Sequence, residues 1–585
     1  MKHYPGFRIT HLLLFFLLLA TILPQANGQS VIDKKWWKEA VVYQIYPRSF
    51  KDSDGDGIGD LKGIISKLDY MKSLGVDVIW LNPIYASPND DNGYDISDYR
   101  NIMKDFGTMA NFDTLLQGMH DRGLKLVMDL VVNHSSDEHE WFKQSRSSRN
   151  NPYRNYYHWW NAERGKPTPR WSFFDINSNA WKYDSLSNAY YLHYFSRKQP
   201  DLNWENPQVR NEVYDIMKFW LNKGIDGFRM DAFQFASKDT TFPILPAGYE
   251  KQIIKYYGMG PHLHDYLQEM NREVISKYDI MTVAEGAGST FEDALALVEP
   301  ERHELNMAYH FEGMDIGNDP KGYSLVDFKN VYTRWDSALA GKGWVAIFLG
   351  NHDVPRMLSK FGNDKPAFRE ASSKLLTTFI LSMRGTPYYY TGDELGMANI
   401  KFSRISDYRD IATINGYKSV KKMGGNVAKF MEKQKFISRD NARTPFQWNS
   451  SRNAGFTTGV PWIKVNPDYL KVNQVEEEKD AHSVLNYFRQ MVRLRKQLPV
   501  LVYGVYELID RNNQKVYAYT RSLENDKVLV LLNFSPSVTN FSAPVSIGKP
   551  GAVLINNLRA LHVTFGAQHN NVKLGPYQAV IVKLE

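Results

Sequence analysis

Cysteine is absent from all 585 residues. That excludes disulfides, thiolate metal sites, cysteine nucleophiles and lipid attachment at cysteine. An exported protein without disulfides fits a bacterial periplasm or exterior better than an animal secretion. A strong charge of one sign is also missing. Lys+Arg number 71 against 64 Asp+Glu, a net charge of +7, with no long basic run. Nucleic acid is therefore not an expected partner. No hydrophobic run is long enough to span a bilayer with ease. The main apolar run, residues 12–20, follows Lys2, His3 and Arg8 and precedes small residues at Ala26-Asn27-Gly28. This is the layout of a signal peptide, expected over residues 1–28, with a retained anchor as the alternative. Its removal would leave an exported chain, periplasmic or secreted, without a membrane span. A monomer is the expected state.

What is present is ample core material, 43% hydrophobic and 14% aromatic. Short apolar, strand-like segments recur at 40–46, 76–81, 124–130, 225–230, 280–284, 305–311, 344–349 and 386–390. Helical periodicity fills the gaps, for example Val213, Ile216, Met217, Trp220 and Leu221. Strand-helix alternation implies a parallel sheet, and eight repeats imply an α/β fold of the (β/α)8 TIM-barrel kind. An open doubly wound sheet is the alternative, but no Gly-x-Gly-x-x-Gly follows the first strand. The connection at 134–206 is too long for a simple loop and reads as an inserted subdomain after strand 3. The barrel then occupies 29–133 and 207–502. From 503 to 585 strands follow one another without helices, as in a C-terminal antiparallel β-sandwich.

Barrels of this kind carry their active sites at the C-terminal ends of the strands. The polar residues there are Asp129 with Asn133-His134, Arg229 with Asp231, Glu285, and Asn351-His352-Asp353, while the loop after strand 2 holds Gly93-Tyr94-Asp95. Arg229 and Asp231 lie two apart, so on a strand both point to one side. The guanidinium would lower the pKa of Asp231, which fits either a nucleophile or a buried ion pair. A second cluster, Asp52-Ser-Asp54-Gly-Asp56-Gly-Ile58-Gly-Asp60, resembles the first half of an EF-hand. A full EF-hand fails, because loop position twelve is Gly63.

The ordered motifs Asp129-Leu-Val-Val-Asn133-His134, Gly227-Phe-Arg-Met-Asp231, Glu285 and Asn351-His-Asp353 resemble those of the α-amylase superfamily of glycoside hydrolases (family 13). Gln199-Pro-Asp-Leu-Asn203-Trp204 and the segment from Ser438 to Trp448 resemble its oligo-1,6-glucosidase and α-glucosidase branch. The resemblance implies a retaining, exo-acting α-glucosidase on short oligosaccharides or disaccharides. Asp231 would be the nucleophile, Glu285 the acid/base and Asp353 the transition-state stabiliser. Arg229 would keep Asp231 ionised, and His134 and His352 would bind the sugar. Asp95 and Arg439 would close the far end of the sugar site, with Tyr94 and Phe174 as aromatic walls. Asp52, Asp54, Asp56, Asp60 and the Ile58 carbonyl would hold a structural Ca2+, and no organic cofactor is implied. Ala232 after the nucleophile leans towards α-1,4 or mixed linkage, with α-1,6 bonds and sucrose as further substrates. A sucrose isomerase or transglucosidase, and an inactive relative that partners a membrane transporter, are the rival readings.

Overall fold

The computed structural model describes residues 33–319, 322–559 and 571–585, together with Met1 and Phe565. The expected signal peptide lies almost wholly outside the described residues. No described helix is long and apolar enough to cross a membrane. Residues from Trp36 to Glu585 form one compact unit.

At its centre is a parallel sheet of eight strands: β1 (Val42–Ile45), β2 (Val78–Leu81), β3 (Lys125–Val131), β4 (Gly227–Asp231), β5 (Met281–Glu285), β6 (Met307–Tyr309), β7 (Ala346–Ile347) and β8 (Thr386–Tyr390). Neighbours in sequence pair in space, and β1 pairs with β8, with Val42 opposite Tyr388. A parallel bridge between Ala308 and Val345 joins β6 to the approach of β7 and closes the barrel. Most of these strands are buried along their whole length, as a sheet covered on both faces requires. All eight expected strands are present, with β6 and β7 shorter than their apolar runs.

The helix Pro207–Lys223 shows how local chemistry sets an element. Asn206 caps its start by accepting from the Gln208 N–H, and Pro207 fills the first position. Gly224, at φ +108°, ends it in the left-handed conformation. Val213, Ile216, Met217 and Trp220 form its buried stripe. The helix brings the chain back to β4 and so delivers Arg229 and Asp231 to the barrel rim.

Between β3 and that helix, the inserted segment folds its own three-stranded antiparallel sheet of Trp159–Asn161, Ala189–Leu192 and Trp181–Asp184. The C-terminal region begins its sheet at Val505–Ile509 and builds five antiparallel strands. A second pair, Thr539–Ser542 with Asn571–Leu574, packs Phe541, Val572 and Leu574 against Leu529, Leu531, Val580 and Val582. That is the expected sandwich. It joins the barrel through one buried arginine, backed by a second on the barrel side. Arg521 donates to the carbonyls of Leu501 (2.9 Å), Gly504 (2.8 Å) and Ser382. Arg495 donates to those of Leu381, Met383, Leu501 and Gly385.

Candidate active site

The strand ends converge as the barrel requires. Asp129 on β3 stands opposite Arg229 on β4 in the sheet register. Arg229 is fully buried and grips three carboxylates. It donates to Asp129 at 2.6 Å, to Asp231, and pairs with Glu285. The Tyr309 hydroxyl accepts from its Nε and Nη2 at 3.2 and 3.1 Å. Trp80 Nε1 fixes the second oxygen of Asp129 at 2.9 Å.

This crowding works against one expectation. Burial pushes Asp231 well above the usual carboxylate range, and Glu285 and Asp129 add to it. Arg229 pulls the other way, as expected, but one guanidinium serves three carboxylates. Glu285 is raised by burial as well, against the pull of Arg229. Both shifts favour a proton on the pair. Ala232 contributes through its backbone. It sits at φ +45°, uncommon for a residue with a Cβ, and its N–H donates to Glu285 Oε2 at 2.7 Å.

Asp353 behaves oppositely. Burial would raise it, but the guanidinium groups of Arg439, Arg443 and Arg229 outweigh that and hold it far below its ordinary value. Its Oδ1 lies 3.0 Å from both Arg439 Nη1 and Arg443 Nη2. His352 is pushed down to about 3 by burial and so stays neutral. Gln44 donates to its Nδ1 at 2.8 Å, which leaves Nε2 facing the Tyr94 hydroxyl at 2.7 Å. Tyr94 stacks on the imidazole, with ring centres 5.3 Å apart. Burial also takes His134 down to about 3, and its Nε2 meets the Gln199 amide at 3.1 Å.

These groups line a cavity of about 250 Å³ together with Phe174, Phe195, Asp91, Ala232, Ala412 and Arg439. Arg439 lies over the Phe174 ring at 4.9 Å. Nine of the ten expected catalytic and sugar-site residues are gathered at the cavity or, as with Arg229 and His352, directly behind it. The exception is Asp95. It is fully buried and turned into its own loop, accepting from Ser87 Oγ and from the N–H groups of Asp90 and Asp91. The carboxylate that meets Arg439 at the closed end is Asp91, at 3.1 Å. Asp95 shapes the turn that presents it. Phe195 and Ala412 also went unread in the sequence. Neither belongs to a recognisable motif, since each reaches the cavity from a long excursion.

The acidic loop after β1 draws three of its carboxylates together. Asp52, Asp54 and Asp60 bring one carboxylate oxygen each within 4.8 Å of one another. Asp56 is not in that group; its Oδ1 accepts from the Ile58 N–H at 2.7 Å. The loop curls because Asp52 accepts from the N–H groups of Asp54, Gly55 and Gly57. Gly57, at φ +94°, has no room for a side chain, since a Cβ would lie 1.8 Å from the Val460 carbonyl oxygen. Three clustered carboxylate oxygens fit a hard cation such as Ca2+.

Comparison with known proteins agrees with this architecture. Residues 44–504 match the family described as the α-amylase catalytic domain, and residues 506–581 match the maltogenic amylase C-terminal domain. The chain is 51% identical over 567 residues to the oligo-1,6-glucosidase of Parageobacillus thermoglucosidasius, covering 94% of this chain and 100% of that relative. The oligo-1,6-glucosidase of Bacillus cereus is 49% identical over 564 residues, with 95% and 100% coverage. Among solved structures, the isomaltulose synthase of Klebsiella sp. LX3 superposes with a TM-score of 0.91 at 44% identity. That likeness covers 94% of this chain and 100% of that one.

Proposed function

The chain belongs to the α-amylase family and is a glycoside hydrolase, and within that family we propose a retaining, exo-acting α-glucosidase that releases terminal glucose from short oligosaccharides and disaccharides. The observation that carries this reading is the set Asp231, Glu285 and Asp353 around one cavity whose end is closed by the Arg439–Asp91 pair. A closed end admits one terminal ring and leaves the rest of the substrate in the mouth. Asp231 attacks the anomeric carbon and forms a glucosyl ester while the glycosidic C–O bond breaks. Glu285 gives its proton to the departing oxygen. It then takes a proton from water as that water attacks the same carbon and frees Asp231. Two inversions retain the configuration. The raised proton affinity of the Asp231–Glu285 pair supplies the acid, and substrate binding must draw that proton to Glu285. Asp353, held ionised, faces the positive charge that develops on the ring. His134, neutral, stands at the cavity wall to meet a sugar hydroxyl, while His352, behind it, holds the Tyr94 hydroxyl in place.

Ala232 favours maltose-type α-1,4 bonds, with α-1,6 bonds and sucrose also accepted. The relatives named oligo-1,6-glucosidase make isomaltose the informative comparison. One side chain at the aglycone side shifts such a preference by about 1–3 kcal/mol. The same proposal includes export, supported by the apolar run at 12–20 behind Lys2, His3 and Arg8. It also includes a structural Ca2+ held by Asp52, Asp54 and Asp60. Structural likeness to an isomaltulose synthase favours sucrose isomerisation as the second reading. Against it, the segment 311–318 after β6 carries no arginine.

Product chromatography from sucrose separates the two. Glucose and fructose mean hydrolysis; isomaltulose or trehalulose mean isomerisation. For the site itself, Asp231→Asn should lower hydrolysis of an aryl α-glucoside by about 10⁴-fold or more. Equal rates for the variant and the wild type would defeat the assignment.

A further inference from the structure

Between Asp410 and Ser438 the chain makes a long excursion: the helices Ile411–Lys422 and Val427–Ile437, packed on each other. Each buries only one residue, Thr413 in the first and Gln434 in the second. These two meet by a hydrogen bond of 3.2 Å. The excursion nonetheless builds the cavity wall. Ala412 lines it, Asn415 Nδ2 donates to the Phe174 carbonyl at 2.9 Å, and Lys422 reaches Asn177 at 2.7 Å.

Its two ends are clasped together beside the site. Asp440 accepts from the N–H groups of Arg409 (2.6 Å) and Asp410 (2.9 Å). In return, Arg439 donates to Asp410 Oδ1 from Nε at 2.9 Å and Nη2 at 2.6 Å. Asp410 is buried, and it also caps the first helix, accepting from the N–H groups of Ala412 and Thr413 and from Thr413 Oγ1 at 2.7 Å. Arg439 spends its remaining donors on Asp353 at 3.0 Å and Asp91 at 3.1 Å.

We propose that Asp410 is a positioning residue for the reaction: it anchors Arg439 against Asp353 and Asp91 and couples that anchor to the helix forming the cavity wall. Asp410 does not line the cavity and touches no substrate. It acts by removing the rotational freedom of the arginine. Two of that side chain's donors are fixed on one buried oxygen, so the others point at the closed end of the sugar site. The inference rests on the glucosidase reading.

The test compares Asp410→Asn with wild type. Asparagine caps a helix as well as aspartate does, so the wall helix keeps its start while the charge that holds Arg439 is lost. The KM for an aryl α-glucoside and the inhibition constant for glucose should each rise about tenfold, with kcat falling less. Asp410→Ala, which loses the cap as well, should show the same rise and also a lower Tm. An Asp410→Asn enzyme with a lowered Tm but wild-type KM and glucose inhibition would overturn the proposal, because that is the signature of a purely structural role. If Asp410→Asn does not fold, Thr413→Val removes one bond to the same carboxylate and should raise both constants about threefold. No change there overturns the proposal equally. A wild-type protein inactive on every α-glucoside would instead defeat the functional reading.

Discussion

Arg229 and Arg439 each meet three carboxylates, yet the protons distribute differently in the two clusters. Around Arg229 three carboxylates share one guanidinium, and burial raises both Asp231 and Glu285. At Asp353 a second guanidinium, Arg443, shares the load and the carboxylate stays ionised. Two carboxyl groups with a proton and one without are what glycoside cleavage through an acid needs. The basic limb of the kcat/KM profile should therefore report the proton of the Asp231–Glu285 pair, and activity should fall as pH rises through it. Glu285→Gln should abolish that limb. It should also cut turnover of maltose by about 10²–10⁴-fold while sparing an aryl glucoside with an acidic leaving group far more. Equal losses on both substrates would remove Glu285 as the acid. The spacing of Arg229 and Asp231 made their shared face legible in the sequence. Asp91 and Asp410 were not legible, because Arg439 reaches Asp91 across 348 positions of sequence. No local pattern marks a contact of that kind. Asp95 was singled out in place of Asp91 because both stand in one acidic turn, and only the folded turn shows which carboxylate faces out.

At the scale of elements, the barrel strands were plain in the sequence because strands buried on both faces read as unbroken apolar runs. Strand ends followed, and with them most of the site. Loops gave less. The acidic loop 52–60 announced a cation site, but backbone N–H groups claim Asp56 Oδ1 and both oxygens of Asp52. Only the three-dimensional turn shows which oxygens gather. If Ca2+ holds this turn, a chelator should lower the Tm and added Ca2+ should restore it. Saturation at a hundredfold over Kd contributes about 2.7 kcal/mol. Asp54 is the exposed member of the three, so Asp54→Asn should shrink the chelator effect. A Tm indifferent to chelator would remove the metal from the proposal.

For the whole molecule, the change from alternating elements to strands alone located the C-terminal sandwich near residue 503. What no pattern signalled is how it is fastened. Arg521 lies fully buried at the junction and is spent on main-chain carbonyls, those of Ser382 and Leu501 among them. Such carbonyls have no water to turn to, so removing the guanidinium strands several acceptors at once. Arg521→Met should cost about 3 kcal/mol. In a chain this long that lowers the Tm by only about 3 °C, so the shift must be measured by calorimetry with replicate scans. A variant as stable as wild type would mean that the junction rests on apolar packing alone.

The clasp at Asp410, Arg439 and Asp440 has a further consequence. The chain between 411 and 437 departs from and returns to one point, and neither of its helices is built into the core. Its length and surface can therefore be rewritten without disturbing the strands that carry Asp231, Glu285 and Asp353. For an enzyme engineer, this is the stretch to exchange between relatives when a different sugar is wanted at the mouth and the chemistry behind it is to stay as it is.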